Sequence, residues 1–146
     1  MNFLYTLRIL GFLLMLFSTA QLFPTSVAFY YSELSLIKVF SYTLLITFLC
    51  GFLLFITGSN KKGDLRTKDG FIITVLFWLV LAVFGSFPFY FAKEIEISYV
   101  DSLFESISGL TTTGATVITG LDELPRSILF YRQLLQWLGG MGIIVL

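Results

Sequence analysis

The sequence predicts an all-α integral membrane chain: two N-terminal membrane helices, then a helix, a re-entrant pore helix with a filter loop, and a last, truncated helix. Three observations carry that prediction. Hydrophobic residues make up 57% of the 146 and charged residues 12%, against about 25% charged in an ordinary soluble domain. Uninterrupted apolar runs recur near the ~20 residues that cross a bilayer. Between the last two runs lies a shorter amphipathic stretch that leads into Leu110-Thr111-Thr112-Thr113-Gly114-Ala115-Thr116.

The first three spans are residues 3–23, 34–57 and 71–92, each long enough for a membrane helix. Arg8 and Lys38 stand near the starts of the first two, where long side chains snorkel to the headgroups. Tyr30 and Tyr31 beside Glu33, and the cluster Phe87, Phe89, Tyr90 and Phe91, fit interfacial aromatic belts. Gly85 and Pro88 mark either a kink or the end of the third helix. Residues 58–70 carry Lys61, Lys62, Arg66 and Lys68, whereas residues 24–33 carry no Lys or Arg. The positive-inside rule therefore makes 58–70 a cytoplasmic loop, with the amino terminus inside and the third helix running outward. Ser18-Thr19-Ala20 also resembles a signal-peptide cleavage site, and cleavage there would leave that direction of travel unchanged. The organisation is then 1–57 for two extra helices, 58–70 for the basic loop, and 71–146 for one repeat. Within the repeat lie a membrane helix at 71–92, a pore helix at 99–109, a filter at 111–116 and a second membrane helix at 127–146. The last ends at Leu146 without a polar anchor, so a fragment truncated inside a membrane helix is expected. Gly139, Gly140 and Gly142 would let that helix approach a neighbour or bend.

Counted from Ser98 to Ser108, the short helix is about 11 residues, roughly 16 Å, or half the hydrocarbon thickness. Ser98 with Asp101 has the outline of a capping box, and Leu103, Phe104, Ile107 and Leu110 fall at helical spacing as a packing face. Gly109 stands where a C-terminal cap is expected. A helix ending there points its negative dipole end at the next residues and favours a cation. Thr112, Thr113, Gly114 and Ala115 then offer successive carbonyls, with Gly114 supplying conformational freedom. Water is missing at that depth, so such carbonyls must be buried in protein or must replace the water of an ion. The competing reading is an ordinary polar turn. It is disfavoured by the order of span, short helix, small-residue run and span.

Residues 93–123 place Glu94, Glu96, Asp101, Glu105, Asp122 and Glu123 against Lys93 alone. These acids either concentrate cations at a mouth or solvate a loop. Asp101 and Glu105, four apart, would gain from a nearby cation. Arg132, early in the last helix, would snorkel or pair with an acid such as Asp122 or Glu123, holding the loop in place. An enzyme is disfavoured by the absence of His and by a single cysteine, Cys50, inside an apolar run. The spacing of Gly58 and Gly63 mimics a phosphate loop, but Asp64-Leu65 follow where Lys and Ser or Thr are needed. No nucleic-acid partner and no organic cofactor are expected. A membrane scaffold with a structural re-entrant loop is the rival reading.

Residues 104–116, Leu124-Pro125, Tyr131-Arg132-Gln133 and 136–143 (Gln-Trp-Leu-Gly-Gly-Met-Gly-Ile) together closely resemble the Trk/Ktr potassium transporters, in the TrkH/TrkG branch, which precedes its first pore repeat with two extra helices. The resemblance implies potassium uptake across a bacterial inner membrane, with four such repeats in one polypeptide around one ion path. It implies a homodimer in membrane lipid, gated by a cytoplasmic nucleotide-binding, TrkA-like ring. Carried over, Thr112, Thr113, Gly114 and Ala115 line the first quarter of the potassium filter, with Thr111 at its inner end. The Thr-Val-Gly-Tyr-Gly of potassium channels is absent, and only its central glycine is kept.

Overall fold

A computed structural model describes residues 3–58 and 67–145. The described residues form six α-helices and no strand: α1 (Phe3–Ala20), α2 (Leu22–Tyr30), α3 (Leu34–Thr57), α4 (Thr67–Phe91), α5 (Tyr99–Leu110) and α6 (Arg126–Val145). The all-α expectation holds. Lys61, Lys62, Arg66 and the side chain of Lys68, with the phosphate-loop mimic, lie outside the described residues.

Three spans among the described residues are long and apolar enough to cross a membrane: Leu4–Tyr30, Leu34–Thr57 and Asp69–Phe91. The first differs from the expected 3–23. After a brief interruption at Gln21, the chain is helical again through Tyr30, so most of the expected loop at 24–33 is helix. Pro24 allows this because it sits in the first turn of α2, where its missing N–H has no helical partner to lose. The true turn is Tyr31–Glu33, with Ser32 left-handed at φ 57°. Pro88 is likewise carried inside α4, which stops three residues later at Phe91. The fourth expected span, α6, is a 20-residue helix but falls short of the other three in hydropathy, because Arg132, Gln133, Gln136 and three glycines dilute it.

Helices α1 and α3 are antiparallel: Arg8 lies beside Gly58, Gly11 beside Gly51, and Gln21 beside Thr43. Their backbones touch, since a Cβ built on Gly11 would come within 2.5 Å of the Gly51 carbonyl. Instead of simply snorkelling, Arg8 places its guanidinium 4.3 Å above the Phe55 ring, a cation–π contact. At the other end of the pair, the buried Gln21 accepts from Thr43 Oγ1 at 2.9 Å.

The core joins these helices to the repeat. Tyr131 of α6 is fully buried, its ring 5.5 Å from Phe40 of α3 and 5.1 Å from Phe89 of α4, and its hydroxyl donates to the Gly85 carbonyl at 2.8 Å. Leu14, Leu36, Leu110, Ile128 and Leu135 fill the space around it. Cys50 is free and packs partly buried against this core.

Candidate functional site

Contacts fix the direction of each helix around the loop. Tyr90 meets Tyr99 at 5.6 Å between ring centroids, and Gly85 faces Ser106, so α5 runs antiparallel to α4. Arg132 meets Glu105, Leu135 meets Gly109, and Gly139 meets Leu110, so α6 runs parallel to α5. Two consecutive helices can be parallel only if the chain between them returns to its starting level. It does so along α5 itself: Ser108 Oγ donates to the Ala115 carbonyl at 2.6 Å, and Glu105 Oε1 accepts from the Val117 amide at 2.8 Å. The segment is re-entrant. At 12 residues, α5 is ~18 Å long, about half the bilayer core.

The helix begins as the sequence suggests. Ser98 Oγ accepts from the Asp101 amide at 3.1 Å and donates to Asp101 Oδ2 at 2.8 Å, which satisfies one of the orphan donors of the first turn. Its end differs from expectation. Gly109 lies within the helix, where its missing side chain admits α6: a Cβ there would be 3.0 Å from that of Leu135. The stop is made by Thr112, left-handed at φ 58°. The Thr113 amide bonds the Ser108 carbonyl at 3.0 Å and the Thr112 amide bonds the Gly109 carbonyl at 2.9 Å, the paired bonds of a left-handed C-terminal cap. The Gly114 amide also reaches the Ser108 carbonyl, at 3.2 Å, with Gly114 at φ 73°. Two left-handed residues within three positions thus turn the amides of this run back towards the helix end.

Turning the amides inward has a consequence for the carbonyls. No hydrogen bond among the described residues reaches the carbonyl oxygens of Thr111, Thr112, Thr113 or Gly114, and residues 111–117 are all exposed. The carbonyl of Ala115 differs, because Ser108 Oγ braces it. Thr111 Oγ1 donates to the Ile107 carbonyl at 2.8 Å and lies 2.9 Å from Thr113 Oγ1, so these hydroxyls brace the loop as well.

The face that α5 buries is polar: Ser102, Glu105, Ser106, Ser108 and Gly109, with Leu110. Of the expected packing face, only Leu110 is buried and Leu103 partly so, whereas Phe104 and Ile107 are each 43% exposed. Ser102 Oγ donates to the Ser98 carbonyl within the helix and Ser106 Oγ has no partner among the described residues, so the face holds the loop through Ser108 and, at its centre, Glu105. This carboxylate is 3% exposed. Its Oε1 accepts from Thr116 Oγ1 at 2.5 Å and from the Val117 amide, and its Oε2 accepts from Arg132 Nε at 3.0 Å. Arg132 therefore pairs with Glu105 and not with Asp122 or Glu123, which stand exposed in a turn of 3-10 helix at Leu121–Glu123. The group of outward acids loses Glu105, which is buried, while Asp101 Oδ2 accepts from the Ser98 hydroxyl and the exposed Glu94 accepts from Ser35 Oγ. Ser108 and Thr116 were not anticipated as supports. The sequence signal for Ser108 is its place in the polar stripe Ser102, Glu105, Ser106, Ser108.

Half-length helix, returning segment with free carbonyls, and flanking apolar helices together define a membrane protein with a re-entrant loop. A family model described as "TrkH: Cation transport protein" matches residues 36–146, and the chain belongs to that family. It is 51% identical, over its whole length, to the Trk system potassium uptake protein TrkH of Vibrio parahaemolyticus, and 46% identical over 93% of its length to TrkG of Escherichia coli. The crystal structure of the potassium transporter TrkH from Vibrio parahaemolyticus superposes with a TM-score of 0.94 over 99% of this chain and 31% of that one. The chain spans about 30% of the length of these relatives, which are named for ion uptake and not for catalysis. It is a membrane protein.

Proposed function

We propose that this chain supplies one side of a potassium path, with the main-chain oxygens of Thr111, Thr112, Thr113, Gly114 and Ala115 replacing water around the ion. The observation that carries this reading is the run of four exposed carbonyls without a hydrogen bond, set at the C-terminal end of a half-length helix. That helix end bears a partial negative charge, equivalent to about half an electron. Ala115 joins the set through the second lone pair of its braced carbonyl. The names of the relatives supply the ion. Potassium moves inward, driven by the membrane potential at about 2.3 kcal/mol per charge per 100 mV, with no covalent step.

Orientation follows from one consistency. The turn Tyr31–Glu33, the Ser35–Glu94 bond and the start of α6 at Arg126 share one level, since Glu33 bonds the Arg126 and Ser127 amides. Residues 58 and 67 are at the opposite end of α3 and α4, joined by the basic loop. With that loop cytoplasmic, as the positive-inside rule requires, the re-entrant segment enters from outside the bacterial inner membrane and the amino terminus is cytoplasmic. Further repeats complete the cage. The resemblance to Trk transporters supplies the remaining partners, a second copy of the polypeptide and a cytoplasmic nucleotide-binding ring.

Gly114 and Gly120 make a controlled test, because both are left-handed, at φ 73° and 68°, and neither has a heavy atom closer than 3.5 Å to a built Cβ. Alanine at either site adds a similar backbone strain of about 1–2 kcal/mol. Only Gly114 lies in the proposed filter. In the intact natural protein, Gly114→Ala is expected to abolish potassium uptake into depleted cells while Gly120→Ala keeps it. Equal uptake by the two variants would overturn the filter reading and leave the loop a scaffold element.

A further inference from the structure

The loop is strung between two anchors of different kinds. The near anchor is local, made by the Ser108 carbonyl, which takes the Thr113 and Gly114 amides, and it belongs to α5 alone. The far anchor is Glu105 Oε1, which takes the Thr116 hydroxyl and the Val117 amide. Between them lie the free carbonyls of Thr113 and Gly114 and the carbonyl of Ala115, which Ser108 Oγ holds. The far anchor is not self-sufficient, because Glu105 is 3% exposed and its other oxygen is held by Arg132, a residue of α6 that is 9% exposed. A buried charge that loses its partner is strongly disfavoured where it stands, and charge-assisted bonds to backbone amides are the strong kind. Ser108 Oγ braces the return leg at Ala115, and beyond that point the leg keeps its place only while Arg132 keeps Glu105 in its own.

We propose that Glu105, held by Arg132, is a positioning residue for ion discrimination: the pair fixes Thr116 and Val117 and thereby sets the spacing of the filter carbonyls that follow the local anchor, Thr113 to Ala115. This rests on the filter reading of 111–115. The pair also makes the filter sensitive to α6, since a displacement of Arg132 along that helix is delivered through one carboxylate to the strand. A carbonyl cage selects by how closely its oxygens can approach an ion of given size, so a loosened return leg degrades selection before it degrades flux.

The test measures the ratio of potassium to sodium uptake, and the apparent KM for potassium, in the intact protein at matched amounts in the membrane. A merely structural brace lowers the amount of protein or the maximal rate and leaves the ratio alone. Arg132→Gln removes the countercharge, and Glu105→Gln keeps an acceptor for Val117 but turns an amide towards Arg132. Each is expected to lower the ratio about tenfold, and the double variant, which restores a neutral pair, to recover to within about threefold, the scale of coupling inside one network. Arg132→Lys keeps the charge without the Nε geometry and gives an intermediate ratio, which decides the matter should Arg132→Gln fail to insert. Wild-type ratios in the single variants, or a double variant whose loss is the product of the singles, overturn the proposal. Gly114→Ala in parallel separates the two failures. If it alters uptake while the Glu105 and Arg132 variants do not, only the positioning role falls; if it too is silent, the filter reading falls with it.

Discussion

Replacing Gly139 by alanine perturbs the contact on which the end of the half-length helix rests. A Cβ built at this position lies 2.0 Å from the Leu110 carbonyl oxygen and 2.7 Å from its carbon, whereas comfortable contacts between heavy atoms are about 3.5–4.0 Å. The obstacle is backbone, so no rotamer change relieves it, and α6 must separate from the end of α5 by roughly 1 Å or more. Gly140 is the internal control. Its built Cβ meets nothing closer than Thr112 Cγ2 at 3.8 Å. Both positions are interior to the same helix, so the gain in helix propensity, about 1 kcal/mol for Gly to Ala, cancels in the comparison. What remains is the clash, about 1–3 kcal/mol for an overpacked interior, and the upper end applies because a carbonyl group is the neighbour. Thermal unfolding of the purified intact protein in detergent is expected to place Gly139→Ala below wild type and Gly140→Ala at or above it. Uptake should fall with Gly139→Ala as well, since Leu110 directly precedes Thr111. If the two variants unfold together, the close approach of α6 to α5 is not a determinant of stability and the packing argument for the loop fails.

Other expectations follow from single hydrogen bonds. Ser98→Ala removes the cap on the Asp101 amide and should cost about 1 kcal/mol, read as a lower unfolding midpoint that Ser98→Asn largely restores. Glu33→Ala leaves the Arg126 and Ser127 amides without their acceptor, a loss of about 1 kcal/mol that hydrogen exchange at those two amides should report as faster exchange. Tyr131→Phe deletes the bond to the Gly85 carbonyl while keeping the ring between Phe40 and Phe89. A cost of about 0.5 kcal/mol is expected, the low end for a hydrogen bond, because the carbonyl keeps its second lone pair for the helix.

What the sequence revealed and what it hid divide along a physical line. The spans at α3 and α4 are legible because length and hydropathy are local properties, and the Ser98 cap because its partner is three residues away. The continuation of the first span through α2 was hidden by Pro24, a residue that reads as a loop but is harmless in a first turn. The helix stop was misplaced for a similar reason. Glycine is the usual left-handed residue, yet Gly109 is spent on the approach of Leu135 and the left-handed position falls to Thr112. The pairing of Arg132 with Glu105 was out of reach, because the partners are 27 residues apart and parallel packing of α5 and α6 is a tertiary fact.

The packing face of α5 shows why periodicity alone could not place the site. A helical period identifies two faces but not which of them meets protein, and in a soluble domain the apolar one does. In a membrane the surroundings are themselves apolar, so Phe104 and Ile107 can remain 43% exposed without penalty from water. The polar face is the one that cannot be left outward, since Ser102, Glu105 and Ser108 need partners where no water supplies them. Ser102 finds its partner inside α5, at the Ser98 carbonyl, whereas Ser108 and Glu105 find theirs in the returning segment and in α6: Ala115, Thr116, Val117 and Arg132. The inversion of the helix and the re-entry of the chain are therefore one requirement. The Glu105 carboxylate and the Ser108 hydroxyl are partnered at membrane depth because the chain turns back alongside α5, and the turn back is what leaves the carbonyls from Thr111 to Gly114 free.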